Sequence, residues 1–113
     1  MQSSIPATQK NKGMQDGLLS GKTGRVLAEV WIEQDEQNSN AYTGQITAHN
    51  FPPGLLASLQ EYKQLVNDGV FSLLDALEEK IKQAYDLRLL SSHARIKQLF
   101  VDGKKISFTI QPG

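Results

Sequence analysis

Residues 17–34, GLLSGKTGRVLAEVWIEQ, contain the point at which this chain changes character. Up to Gly24 apolar side chains are sparse among Gln, Ser, Lys, Asn and Gly, with no helical or alternating period. A segment of this kind cannot offset its own ordering entropy by burial. From Arg25 the pattern alternates, with Val26, Ala28, Val30 and Ile32 on one face and Arg25, Leu27, Glu29, Trp31 and Glu33 on the other. Alternation of period two is the mark of a half-buried strand. The reading is therefore a flexible N-terminal arm over 1–24 and a single domain over 25–113. Leu18 and Leu19 are the arm's anchoring pair, docking on the domain or on a partner. Removing residues 1–20 is expected to cost less than ~1 kcal/mol.

Downstream of the first strand, Asp35 to Asn40 is turn chemistry, and a second alternating run sets Tyr42, Gly44, Ile46 and Ala48 against Thr43, Gln45, Thr47 and His49. The two runs predict an antiparallel hairpin. Pro52 and Pro53 then end the ladder, because they lack amide donors and bias the preceding residue away from helix. Apolar residues recur at helical spacing from Leu55 to Tyr85, with capping-box matches at Ser58 to Glu61 and Ser72 to Asp75. One straight helix from Gly54 to Arg88 would run ~52 Å, against ~33 Å for a ten-residue strand. Two segments, 55–67 and 70–86, joined at Gly69, fit better.

Arg95 to Val101 and Lys105 to Gln111 flank Asp102-Gly103 and predict a second hairpin. A three-residue loop with a glycine bulge places Ile96 and Phe100 with Ile106, Phe108 and Ile110 on the core face, but turns Gln98 inward. The order strand, strand, helices, strand, strand predicts an α+β fold: a four-stranded sheet with one or two helices on one face.

The chain of 113 residues has twelve Lys plus Arg, twelve Asp plus Glu and no Cys. Disulfides, thiol chemistry and cysteine-ligated zinc are excluded, and a cytoplasmic setting is expected. The start lacks the basic-then-apolar order of a secretory signal, and no apolar run nears the ~18 residues of a membrane helix. The ends are basic and the middle acidic. A zero total argues against a dedicated nucleic-acid binder, whose charge is usually strongly positive.

Gly17 to Thr23 resembles a phosphate loop only in its Gly21-Lys22-Thr23. Asp16 stands where the motif needs its first glycine, and a strand rather than a helix follows. His49 and His93 lie on different predicted elements, and Glu33, Asp35 and Glu36 lack the ligand series of a calcium loop. No metal or cofactor is expected. No nucleophile, base and orienting group share a recognisable context, so a small enzyme ranks third among the functions considered.

The function expected first is that of a small non-enzymatic protein-interaction module: an accessory, adaptor or regulatory subunit whose partner is another protein or a second copy. Trp31 and Leu27, beside Thr43 and Thr47, compose the expected interface, joined by Leu18 and Leu19, because an outward tryptophan is the residue type of an interface anchor. The second reading is a nucleic-acid-binding regulator that uses Arg25, Arg95, Lys97, Lys104 and Lys105 as phosphate contacts.

Overall fold

The computed structural model describes residues 13–111. It overturns the open four-stranded sheet: the strands form a closed six-stranded antiparallel barrel with two helices packed against it. The strands are β1 (Met14–Ser20), β2 (Val26–Gln34), β3 (Ala41–His49), β4 (Leu87–Leu89), β5 (Arg95–Asp102) and β6 (Lys105–Gln111), and the helices are α1 (Pro53–Asn67) and α2 (Leu74–Tyr85). Around the barrel the order is β1-β2-β3-β6-β5-β4, with β4 returning to β1. Two meanders of three strands are thus joined by a helical crossover.

The correction comes from a strand inside the stretch read as an arm. β1 pairs with β2 from Met14 opposite Ile32 to Leu19 opposite Val26, and with β4 through Leu18 opposite Leu89 and Ser20 opposite Leu87. Leu18 is 0% exposed and joins the central core, and Leu19 is buried as well. Alternation is hidden in this strand because every residue from Asp16 to Ser20 is buried, its two polar ends included. Those ends are satisfied internally. The Asp16 carboxylate accepts hydrogen bonds from the Gly17 amide (2.8 Å), the Ser91 amide (3.0 Å) and the Ser91 hydroxyl (2.6 Å). The Ser20 hydroxyl donates to the Tyr85 carbonyl at 2.7 Å. Residues 1–12 of the expected arm lie outside the described residues.

Two bulges revise the alternation inferred for the other strands. β1–β2 pairing shifts between Leu18 and Leu19, leaving Leu27 as the extra residue, so Leu27 and Ala28 are both buried while Val26 is half-exposed. A bulge sets two residues against one and re-aims the side chains beyond it. The β5–β6 turn is two residues, Gly103-Lys104, with Gly103 at φ 64, rather than the three-residue loop expected. The extra residue sits instead at Gln98-Leu99, where Gln98 adopts φ 55. Ile96 and Leu99 therefore point inward, Gln98 faces solvent, and Phe100 lies opposite Ser107, not in the row of Ile106 and Phe108.

The helices break where glycine was expected to break them. Pro53 begins α1 without a donor to lose, and Leu55, Leu59 and Tyr62 bury one stripe. After Asn67 the Gly69 amide donates to Val66 and the Val70 amide to Leu65, with Gly69 at φ 73, a helix stop that needs the left-handed conformation. The capping boxes do not form. Ser58 lies inside α1, and Ser72 falls in a short 3₁₀ turn (Phe71–Leu73) without capping α2. Leu77 and Ile81 of α2 complete a continuous core with Leu18, Val30, Ile32, Ile46, Leu89, Ile106 and Phe108. Tyr42 stacks on Phe108 with ring centroids 5.6 Å apart.

Two stability outcomes follow from this architecture. Leu18→Ala should destabilise the domain by ~3–5 kcal/mol in urea titration, since a fully buried leucine leaves a cavity between strands that cannot collapse onto it. Gly69→Ala should cost ~1 kcal/mol in the same assay, because alanine resists positive φ even though the space for its methyl group is open. A stabilising Gly69→Ala would contradict the helix stop.

Candidate functional site

A closed barrel leaves little backbone edge to offer, so recognition has to come from side chains on its outer faces and ends. A groove of about 610 Å³ crosses four strands on the outer face. Register builds it in two rows. One row runs Trp31, Gln45, Lys105, Asp102, and the other Glu33, Thr43, Ser107, Phe100, each residue directly opposite the next on the neighbouring strand. Trp31 marks one side and is 45% exposed; half-buried Phe100 marks the other.

Beneath Trp31 the strands β2 and β3 approach closely. At Gly44 a β-carbon would overlap the Trp31 carbonyl and crowd Ile32, so only glycine fits there. Between the aromatic ends the floor is hydroxyl and amide: Thr43, Gln45 and Ser107. Its charged lining is Glu33, Asp102 and Lys105, and Asp102 is also bridged by Lys63 of α1 at 3.1 Å.

Of the side chains expected at an interface, the structure brings together Trp31 and Thr43. Thr47 is exposed but outside the groove, its hydroxyl donating to the Glu29 carbonyl at 3.1 Å. Leu27, Leu18 and Leu19 are buried in the barrel and present no surface, for the bulge and pairing reasons above. The groove residues missing from the expected set are Phe100, Gln45, Ser107, Glu33, Asp102 and Lys105. Phe100 was assigned to the core face, and only the bulge at Gln98-Leu99 turns it outward.

The five basic residues read as phosphate contacts do not share one surface. Lys104 is in the β5–β6 turn and Lys105 at the groove, whereas Arg95 pairs with Gln111, six residues along β6, or ~20 Å away. Arg25 is exposed beside the β1–β2 turn, Lys97 is on outer β5, and Arg95 is half-buried against Asp86.

A second cavity of about 360 Å³ lies between α2 and β5, lined by Tyr62, Asp75, Glu78, Arg95 and Gln98 among others. The Gln98 amide donates to Glu78 Oε2 at 2.7 Å, which fills the donor that the bulge exposes. Burial, reinforced by the charges of Glu78 and Asp75, pushes the Tyr62 phenol up to about 12. A phenol held so firmly protonated acts as neither base nor nucleophile near neutral pH. The connector between the helices exposes a further apolar cluster, Val70, Phe71 and Leu73, which lines none of these grooves. Among the described residues no three His, Asp or Glu side chains are grouped to hold a metal ion, and no helix is long and apolar enough to cross a membrane.

The Tyr62 shift has a signed consequence. Between pH 10 and about 12 the unfolded chain releases the phenolic proton while the folded chain keeps it, so stability attributable to Tyr62 falls as pH rises through that window. Chemical denaturation across the range should show this decline, and Tyr62→Phe should flatten it.

No known protein family matches the chain, and no curated protein or solved structure shows significant similarity to it, so its function rests on its own geometry.

Proposed function

We propose that this chain is a small non-enzymatic interaction module of the cytoplasm whose Trp31 groove receives an extended segment of another protein. The observation that carries the reading is Trp31 itself: a large aromatic side chain standing half-exposed on a rigid barrel strand, opening onto a groove with a second aromatic at its far side. Such a residue has little conformational entropy to lose and much apolar area to bury, the properties of an interface anchor. Gln45, Thr43 and Ser107 supply hydrogen-bonding groups between the anchors. Glu33 and Asp102 are balanced by Lys105 and by the Lys63 that bridges Asp102, so the groove carries no net charge that would attract a phosphate backbone. That balance, with the dispersal of Arg25, Arg95, Lys97 and Lys104, ranks nucleic-acid binding below protein binding.

The test starts from displayed random peptides selected on the purified chain, with one recovered peptide then titrated against variants. Trp31→Ala and Phe100→Ala should each weaken binding at least tenfold, in line with the ~2 kcal/mol typical of interface anchors. Trp31→Ala should leave the unfolding midpoint close to wild type, because nearly half of the indole is already in water. Raising salt from ~50 to ~200 mM should weaken the peptide only modestly, whereas single-stranded oligonucleotide binding would collapse by counterion release. Failure to enrich any peptide, or binding indifferent to both substitutions, removes the reading.

A further inference from the structure

Away from the Trp31 groove, the end of α2 and the β4–β5 connection gather charge around Asp86. This residue follows α2 in the left-handed conformation, φ 49, and its amide donates to the Lys82 carbonyl at 2.9 Å. Its largely buried carboxylate faces two guanidinium groups. Arg88 Nε and Nη2 each lie 3.1 Å from Asp86 Oδ2, and Arg88 Nη1 donates to the His93 carbonyl at 3.0 Å. Every nitrogen of Arg88 is thereby engaged. Arg95 differs. Its Nε lies 3.3 Å from Asp86 Oδ1 without hydrogen-bond alignment, and both atoms are buried with hydrogen-bonding capacity unspent. Neither terminal nitrogen of Arg95 finds an acceptor among the described residues, and no carboxylate there besides Asp86 forms an ion pair with it. Within ion-pair distance two positive charges thus share one negative charge, while Arg95 also borders the α2–β5 cavity that holds Asp75, Glu78 and Glu79.

Beside this excess lies a third cavity, about 530 Å³, lined by Arg88, Arg95, Ser92, His93, Ile110 and Gln111. Among the described residues no acidic side chain lines it. The turn that forms its wall is held rigidly: the His93 amide donates to Leu89 at 2.9 Å with His93 at φ 62, and the Ala94 amide donates to Ser92 Oγ at 3.2 Å. Left-handed backbone at non-glycine residues is costly and concentrates where surrounding structure imposes it. Here His93 lines the cavity, and Asp86 holds the two arginines that border it.

We propose that this cavity binds a small organic anion bearing a phosphoryl group. The terminal nitrogens of Arg95, without an acceptor among the described residues, form a planar fork suited to two oxygens, and the Ser92 hydroxyl and His93 ring provide donors for a third. A three-oxygen group uses all of these, whereas a carboxylate leaves donors unspent. The cavity is too large for inorganic phosphate alone, and Ile110 offers an apolar contact for the body of the ligand.

The experiment is amide-resolved NMR titration of the full chain with phenyl phosphate, inorganic phosphate, benzoate and sodium chloride at matched ionic strength. Phenyl phosphate should give saturable shifts at residues 92–95 and 110–111, and should bind more tightly than inorganic phosphate or benzoate. Arg95→Lys keeps the charge but removes the fork, and should weaken phenyl phosphate at least tenfold. Ser92→Ala, which leaves the Asp86 ion pairs intact, should weaken it at least threefold even if the Arg95 variant folds poorly. Shifts that chloride reproduces, benzoate binding as tight as phenyl phosphate, or affinity unchanged in both variants would each overturn the proposal.

Discussion

Closure of the barrel depends on β1 being paired on both sides. Its seven residues hydrogen-bond β2 along one edge and the three-residue β4 along the other, while β4 meets β5 through a single residue pair, Arg88 opposite Arg95. Without β1 the two meanders meet only at β3 and β6, and the sheet opens. Leu18 is therefore more than one leucine among many, because its burial and the ladders on either side of it form together. The polar pins act at the same seam. Asp16 ties β1 to the turn after β4 through Ser91, and Ser20 ties its other end to the last carbonyl of α2. Buried groups satisfied in this way add modest net stability but make any alternative register costly, since a slip leaves a carboxylate without donors.

Bulges then decide what each face presents. An unbroken alternation would have placed Leu27 outside and Phe100 inside. The shift beside Leu18 and Leu19 buries Leu27, and the extra residue at Gln98-Leu99 turns Phe100 toward the groove. Both irregularities are local in the chain, yet their consequence is a surface assembled from four strands. The exposed amide at Gln98 is not left unpaired: Glu78 of α2 reaches it, so helix packing and strand bending stabilise each other.

The finished barrel separates two kinds of surface. The Trp31 groove is aromatic at its sides, polar along its floor and balanced in charge, as suits a polypeptide segment. The cavity near Asp86 is lined by two arginines and a histidine, with no acidic side chain among the described residues of its wall, as suits a compact anion. No residue lines both, so a ligand at one site leaves the side chains of the other untouched.

Much of this molecule was legible from local pattern. Period-two alternation located β2 and β3, the Asp-Gly pair located the last hairpin, and Gly69 marked the break between helices, because each of these signals arises from the conformational preferences of adjacent residues. Trp31 and Thr43 were likewise visible as outward positions on strands. Met14–Ser20 offered no such signal for β1, since a strand segment covered on both faces does not alternate and its Asp16 and Ser20 look like solvent-facing residues until their distant partners are in place. The same holds for Phe100 and for the pairing of Arg88 with Arg95 around Asp86. Sequence alone determined the strands β2, β3, β5 and β6 and the two helices with their break at Gly69, but not β1 or β4. Barrel closure, bulge placement and the charge gathered around Asp86 were decided only in the tertiary structure, because each depends on pairing between residues far apart in the chain, and pairing energy is not written in either partner alone.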